Sequence, residues 1–381
     1  MSIRLGTYNV ENLFRRARIL NMRDEKETGS LLSEVAKLQK LLDRQSYTDA
    51  IKDDVFALSA KLVQYIDVRV DLGSLGAWKK EPPKTGATGY RVYKSCSGRG
   101  DWIGEITFKY SDFSDQQRMN TAAVVKALNA DVLCLIEVEG LNALEKFNRD
   151  ALGKMYAQYL LIDSPNDPRG IDVGCMSRFP IENIRTHIFD KFGSFQRVFS
   201  RDCLEVEIAL PSGKPLVYLL NHFKSQRSVG PGEAERSAEK RKAQASRVAE
   251  ILNRYDLTKD FVAVAGDLNE DTSNQYQSLA PLLEVKDLFP VVDPKAPKVE
   301  RWTHYFEGGK KGEKLSQLDY LLVSKTLHDR MTGVGFERRG IFNIDTITAK
   351  EGAPPVTPFD TVTAWDESAS DHAGLVAEFD V

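Results

Sequence analysis

The chain is built around a series of short, almost purely apolar runs that end or turn on polar residues. They are IRLGTYNV (3–10), DVLCLIEV (131–138), DVGCMSRF (172–179), CLEVEIAL (203–210), LVYLLNHF (216–223), FVAVAGDL (261–268) and LDYLLVS (318–324). Runs this short and continuous fit strands buried on both faces, because a strand with one wet face would alternate. The terminal segment SDHAGLVAEF (370–379) does alternate, with Leu375, Ala377 and Phe379 on one side. Between the runs, QQRMNTAAVVKALNA (116–130) and GEAERSAEKRKAQASRVAEILNRY (232–255) carry apolar residues at helical spacing. Strands interleaved with amphipathic helices imply a sheet-rich α/β core with helices packed outside.

Residues 16–112 differ in character. Leu31, Val35, Leu38 and Leu42 form one helical stripe, and Ile51, Val55, Leu58, Leu62 and Ile66 form another. Thr48 lies between them as a candidate N-cap, so a helical hairpin over about 30–70 is expected. Residues 71–105 are rich in Gly, Pro and Lys, with Trp78, Tyr90, Tyr93 and Trp102 interspersed. Those aromatics suit the packing of a small subdomain better than stacking on bases. The whole of 16–112 reads as an insertion carried on the main domain.

Charge and cysteine content narrow the function classes. The net charge of −3 supplies no general attraction for a polyanion, so such a substrate needs a local basic patch or a bound cation. The four cysteines show no CxxC spacing, and Cys134 and Cys175 lie in apolar runs, which points to reduced core thiols. The opening MSIRLGTYNVENLF lacks a signal-peptide core, and no run approaches the ~20 apolar residues of a membrane helix. A cytoplasmic protein that does not insert into a membrane is expected.

The polar residues at the strand ends carry the chemistry. Run 3–10 contains Asn9 and is followed by Glu11; run 131–138 contains Glu137. Run 216–223 ends on Asn221 and His222, and run 261–268 leads into GDLNED with Asp267 and Asn269. Asp319 opens the strand in SQLDYLLVS, and Asp371 and His372 precede the last strand. A carboxylate at a buried strand end is costly unless it is paired or meets a cation. Several from distant segments imply one convergent site. Oxygen donors of this kind suit Mg2+. Zinc is poorly served, since there is no HExxH and no Cys/His cluster. A GxSxG elbow and a Walker A loop are also absent. Glu139 would face the same way as Glu137 on a strand and is the alternative ligand.

In order, TYNVEN, LIEVE, SRFP, NHFKS, GDLN, LDYLLVS and SDH resemble the motifs of the endonuclease/exonuclease/phosphatase superfamily, over residues 3–15 and about 115–381. The resemblance implies a DNase I-like four-layered α/β sandwich, two packed mixed β-sheets flanked by helices, with a largely helical insertion. One domain would then span 1–381, interrupted by 16–112. It further implies Glu137 as principal Mg2+ ligand (Mn2+ being the alternative ion), with Asn9 beside it, Glu11 as a second acidic metal residue and Asp371 in the metal and water network. Asp267 would orient or deprotonate the attacking water and Asn269 would hold the phosphate. His372 would contact the phosphate or act as acid/base, with Asp319 fixing its tautomer. His222 would be a second phosphate-facing histidine with Asp172 as its carboxylate partner, and Arg201 would contact phosphate. Where the family's LQE motif has Gln, this chain has Ile136.

The implied activity is metal-dependent phosphodiester hydrolysis of nucleic acid, most readily as a DNA endonuclease or exonuclease. A phosphoesterase of the same fold acting on inositol phosphates or sphingomyelin is the alternative. It is weakened by the missing PAWCDR motif and by the lack of a strongly apolar hairpin. A non-catalytic binding protein is disfavoured because Glu137, Asp267, Asn269, Asp319 and His372 are all present. Arg178 reads as a strand cap or a contact. Lys224, Arg227, Arg236, Lys240, Arg241, Lys242, Arg247 and Arg254 form a local basic excess that suits a phosphate backbone or a solvated helix face equally. Arg338 and Arg339 are further candidate contacts. His187, His304 and His328 carry no motif and read as structural or surface residues.

Overall fold

In the computed structural model the apolar runs become two six-stranded sheets. The structure describes residues 1–11, 13, 15–19, 25–80, 86–112, 115–167, 170–226, 232–306 and 315–381. The strands of these sheets are β1 (Ser2–Asn9), β2 (Val132–Val138), β3 (Gln158–Leu161), β4 (Asp172–Ser177), β5 (Ile181–Arg185) and β6 (Cys203–Ala209). They continue as β7 (Pro215–His222), β8 (Phe261–Asp267), β9 (Leu288–Pro290), β10 (Asp319–Ser324), β11 (Met331–Glu337) and β12 (Gly374–Asp380). One sheet has the order β11-β12-β1-β2-β4-β3 and the other β5-β6-β7-β8-β10-β9. Both are mixed: β1 runs parallel to β2 and antiparallel to β12, and β7 runs parallel to β8, which is antiparallel to β10.

The period-two rule sorts each central strand between two cores. Leu5, Val132, Cys134, Ile136 and Leu375 of the first sheet pack with Leu204, Tyr218, Leu220, Ala263 and Leu321 of the second. The alternate residues face outward onto helices. Leu133, Leu135 and Val138 pack with Val125 and Leu128 of the helix Asp115–Leu128 and with Phe147. Val217, Leu219, Val262 and Val264 pack with Ala245, Val248 and Ile251 of the helix Glu233–Leu252. Helix, sheet, sheet and helix form the four layers. The Tyr218 hydroxyl crosses the inner core to donate to the Gly6 carbonyl at 2.7 Å. Burial pushes the thiols of Cys134, Cys175 and Cys203 up, and all are free.

Chain contacts divide the molecule into two compact units, 1–14 with 113–226 and 234–381, and 15–112 with 227–233. The second has its own core of Leu38, Leu42, Val55, Leu62, Ile66, Cys96 and Trp102. Its helices are Glu25–Leu42 and Asp49–Leu62, and the Thr48 hydroxyl accepts from Ile51 N at 3.3 Å to cap the second. The helical expectation fails past Leu62, where Ile66, placed in the second helical stripe, opens a strand, and the segment 71–105, read as rich in Gly, Pro and aromatics, forms strands as well. Ile66–Gly73 pairs with Trp102–Phe108, and Gly76–Lys80 pairs with Thr88–Val92. Trp102 and Tyr90 are buried, Trp102 Nε1 donates to the Tyr47 hydroxyl at 2.9 Å, and Trp78 meets Tyr90 edge to face. Among the described residues no helix is long and apolar enough to cross a membrane.

Candidate active site

Neighbouring strands of the second sheet end together. His222 on β7 lies in register with Asp267 on β8, and Asp267 lies in register with Asp319 on β10. The backbone at this point is tightly specified. Gly266 has φ +135°, and a Cβ there would stand 1.8 Å from the Asn221 carbonyl oxygen, so the residue before Asp267 has to be glycine. Glu11, Glu137 and Asn269 also have positive φ, at 50°, 67° and 57°. Such angles are uncommon for residues with a Cβ and cluster where function demands them.

Asp267 is the hub. Its Oδ1 accepts from Asn269 N at 2.8 Å, and its Oδ2 accepts from Asn269 Nδ2 at 3.0 Å and from Asn9 Nδ2 at 3.2 Å. The last of these joins the end of β1 to the end of β8, one from each sheet. His222 Nε2 lies 3.7 Å from Asp267 Oδ2 and 3.8 Å from Glu137 Oε1. Burial pushes the Asp267 carboxyl up to about 7; positive charge on His372 opposes that, and the Asp319 and Glu137 carboxylates add to it.

His372 is held from both sides. Its Nδ1 is 2.7 Å from Asp319 Oδ2, and its backbone N–H donates to the Ser370 hydroxyl at 3.0 Å. Burial works against a charged imidazole here, but the Asp319, Asp371 and Asp267 carboxylates outweigh it and hold its pKa well above the usual histidine value. Asp319 is itself fixed by the Thr303 hydroxyl, which accepts from the N–H groups of Leu318 and Asp319. Its other oxygen, Oδ1, is buried without a hydrogen-bond partner among the described residues. The Ser370 hydroxyl donates to the Asn9 carbonyl at 2.7 Å, and Asp371 N donates to Glu11 Oε2 at 3.1 Å. The SDH segment is thereby tied to the end of β1.

Asn9, Glu11, Glu137, His222, Asp267, Asn269, Asp319, Asp371 and His372 are thus linked by contacts at one end of the two sheets. Asp172 and Arg201 are placed differently. Asp172 is buried at the start of β4, where its Oδ1 accepts from Ser164 N at 3.1 Å, and the histidine assigned to it instead faces Glu137 and Asp267. Burial pushes the Asp172 carboxyl up to about 7. Arg201 is buried with its Nε 2.8 Å from Asp167 Oδ2.

Most of the other cations read as candidate contacts have structural work. Arg178 donates to Asp131 and Asn129 at the opposite end of β2 from Glu137. Arg241 is fully buried against Glu270 at 2.9 Å, Arg247 meets Asp190 and Glu250, and Arg254 meets Glu205. Arg338 donates to the Glu300 and Trp302 carbonyls over the Trp302 ring, and Arg339 is paired with Glu337. Arg227 lies outside the described residues. The GDLNED loop divides its labour: Asp267 and Asn269 face the site, Glu270 binds Arg241, and Asp271 binds Arg301 at 2.8 and 2.9 Å.

His304 is the residue that motif reading missed. It bridges to His372 through the backbone, and the two rings stand 4.7 Å apart. Its Nε2 is 3.6 Å from Asp371 Oδ2. In sequence the stretch THYFEGGKKGEK carries no periodic signal that could have placed it.

A family model described as the Endonuclease/Exonuclease/phosphatase family matches residues 111–372. None of the curated proteins compared with the chain matches it. Similar solved structures include truncated Caenorhabditis elegans TDP2, at 18% identity over 70% of this chain and 91% of that one, with a TM-score of 0.46. An endonuclease/exonuclease/phosphatase from Beutenbergia cavernae has 18% identity over 70% of this chain and 66% of that one, with a TM-score of 0.46. The human Nocturnin catalytic domain has 15% identity over 71% of this chain and 87% of that one, with a TM-score of 0.47.

Proposed function

The chain belongs to the endonuclease/exonuclease/phosphatase family, whose members are metal-dependent phosphoester hydrolases, and from that premise we propose that it cleaves phosphodiester bonds in nucleic acid, with DNA as the substrate. The observation that carries the reading is the pairing of His372 with Asp319 beside an Asp267 held by two amide side chains. That is an acid/base histidine with a fixed tautomer next to a carboxylate positioned to meet water.

The donor set suits a hard cation. Glu137 and Asn9 bring oxygen atoms to the region, and Glu11 and Asp371 stand at its margin. We assign Mg2+, or Mn2+ in its place, to Glu137 and Asn9. A divalent cation supplies charge stabilisation to the phosphoryl oxygens when bound.

The chain's own groups do the rest. Asp267 accepts a proton from, or orients, the attacking water, and the amides of Asn9 and Asn269 fix the direction of its lone pairs. Asn269 holds the phosphate. His372 Nε2 donates to the phosphate or to the leaving oxygen, and Asp319 keeps the proton on the Nδ1 side in place. His222 supplies a second donor to the phosphate. Charge developing on the phosphoryl group is met by donors that are already oriented.

Cleavage of supercoiled plasmid in Mg2+ or Mn2+ tests the proposal. Nicking that is lost with EDTA and in Asp267→Asn supports it. Cleavage undiminished in that variant contradicts the mechanism, and an inert but folded wild-type protein moves the substrate to inositol phosphates, phospholipids or nucleotide phosphoesters.

A further inference from the structure

We propose that His304, Asp371 and His372 form a binding site for a borderline transition-metal ion such as Zn2+, separate from the oxygen-donor position at Glu137 and Asn9. One ligand atom from each of the three lies within 4.8 Å of the others. The Asp371 carboxylate stands between the two imidazoles, with Oδ2 3.6 Å from His304 Nε2 and Oδ1 3.9 Å from His372 Nε2. Tetrahedral zinc with ligands at about 2.0–2.1 Å separates neighbouring donors by roughly 3.4 Å. Small side-chain rotations therefore close the site.

A second observation points the same way. The Nδ1 of His372 is 2.7 Å from Asp319 Oδ2, so an ion at Nε2 would displace the proton there while Nδ1 keeps its own toward Asp319. A carboxylate behind the distal nitrogen is the usual support of a metal-bound histidine, fixing the ring and raising its basicity. His304 is held by the backbone of the short pair His304–Tyr305 with Leu315–Ser316, and Ala373 N donates to the Thr303 carbonyl at 2.7 Å. The backbone thus places His304 beside His372, whose ring Asp319 orients, before any ion arrives. Side-chain exposures of 17%, 30% and 7% for His304, Asp371 and His372 leave a route from solvent.

The donor chemistry separates the two positions. Two imidazoles and a carboxylate favour zinc, cobalt or nickel over magnesium, whereas a carboxylate and an amide oxygen do the reverse. On the hydrolytic reading, an ion here would withdraw His372 Nε2 from the phosphate and make the site inhibitory; the binding test stands without that reading.

The test is a calorimetric titration of Zn2+ into metal-stripped full-length protein in saturating Mg2+, repeated with Co2+ by visible absorption. The expected result is one Zn2+ bound by the wild type and an affinity lowered at least tenfold in His304→Ala and in His304→Gln. Both variants should keep the wild-type circular dichroism spectrum, while Glu137→Gln keeps the ion. The Co2+ bands of nitrogen coordination should disappear with His304. No Zn2+ bound in the presence of Mg2+, wild-type affinity in both His304 variants, or loss of the ion in Glu137→Gln would each overturn the proposal.

Discussion

Two of the buried histidines that sit among carboxylates, His187 and His372, are built for different ends. His187 has both ring nitrogens taken, Nδ1 2.9 Å from Asp190 and Nε2 3.1 Å from Glu205. Arg185, Arg254 and the Tyr255 hydroxyl crowd the same Glu205, so the cluster is neutralised within itself. His372 has Nδ1 taken by Asp319, while its Nε2 has no hydrogen bond among the described residues and faces Asp371 at 3.9 Å, with the His304 ring beside it. Asp267, Asp319 and Asp371 all act on that ring. The first cluster has spent its hydrogen-bonding capacity on the fold. The second holds a donor and excess negative charge in reserve for a cation or a substrate. Burial alone does not tell them apart, since His187 is 3% exposed and His372 is 7% exposed.

The comparison can be broken by mutation. The largest expected effect is on chemistry: Asp319→Asn should lower the cleavage rate by about 10²–10⁴-fold, the scale of a lost acid/base arrangement, with the thermal midpoint little changed. A rate near wild type would place His372 with His187 as a structural residue. Next comes stability. Arg241→Met strands the buried Glu270 carboxylate, and loss of one partner of such a pair costs about 3–5 kcal/mol, read by urea denaturation. His187→Ala should cost about 1–3 kcal/mol, the scale of stranded hydrogen-bond partners, and leave cleavage per folded molecule unchanged.

A pH titration sharpens the contrast further. Burial alone would raise the Glu205 carboxyl, but the hydrogen bonds from His187 and Tyr255 and the charges of Arg254 and Arg185 overcome it and hold the carboxyl at about 2. A folded-state pKa below the unfolded value means that the stabilisation is complete above about 4.5 and is lost as the pH falls toward 2. The difference in urea midpoint between wild type and Glu205→Gln should therefore shrink across that window; a constant difference would remove the ionised pair from the account. The smallest effect is expected far from either histidine: Thr48→Ala removes a helix cap and should cost about 1 kcal/mol.

How much of this was legible depended on burial. The central strands could be read because a strand covered on both faces must be apolar along its length, as VLCLIEV and FVAVAGD are. The edge strands could not. Ile181–Arg185 and Met331–Glu337 are largely exposed, and their sequences IENIR and MTGVGFE lack both a run and a clean alternation. The site was marked in the sequence because polar residues terminating apolar strands have few purposes. The partners of Arg241 and Arg254 were not marked. Glu270 and Glu205 lie 29 and 49 residues away, and a helix rich in Arg and Glu looks the same whether its cations face water or loops. His304 was hidden for a related reason: its place beside His372 comes from an isolated backbone bridge between segments 68 residues apart in number, which no local pattern records.

The measurement that tests the central claim most directly is cleavage of supercoiled plasmid by wild type and by His372→Ala, each with Mg2+ and with EDTA. The account predicts nicking by the wild type in Mg2+ alone, and none above background from the folded variant. Equal nicking by both proteins, or nicking that persists in EDTA, would contradict it.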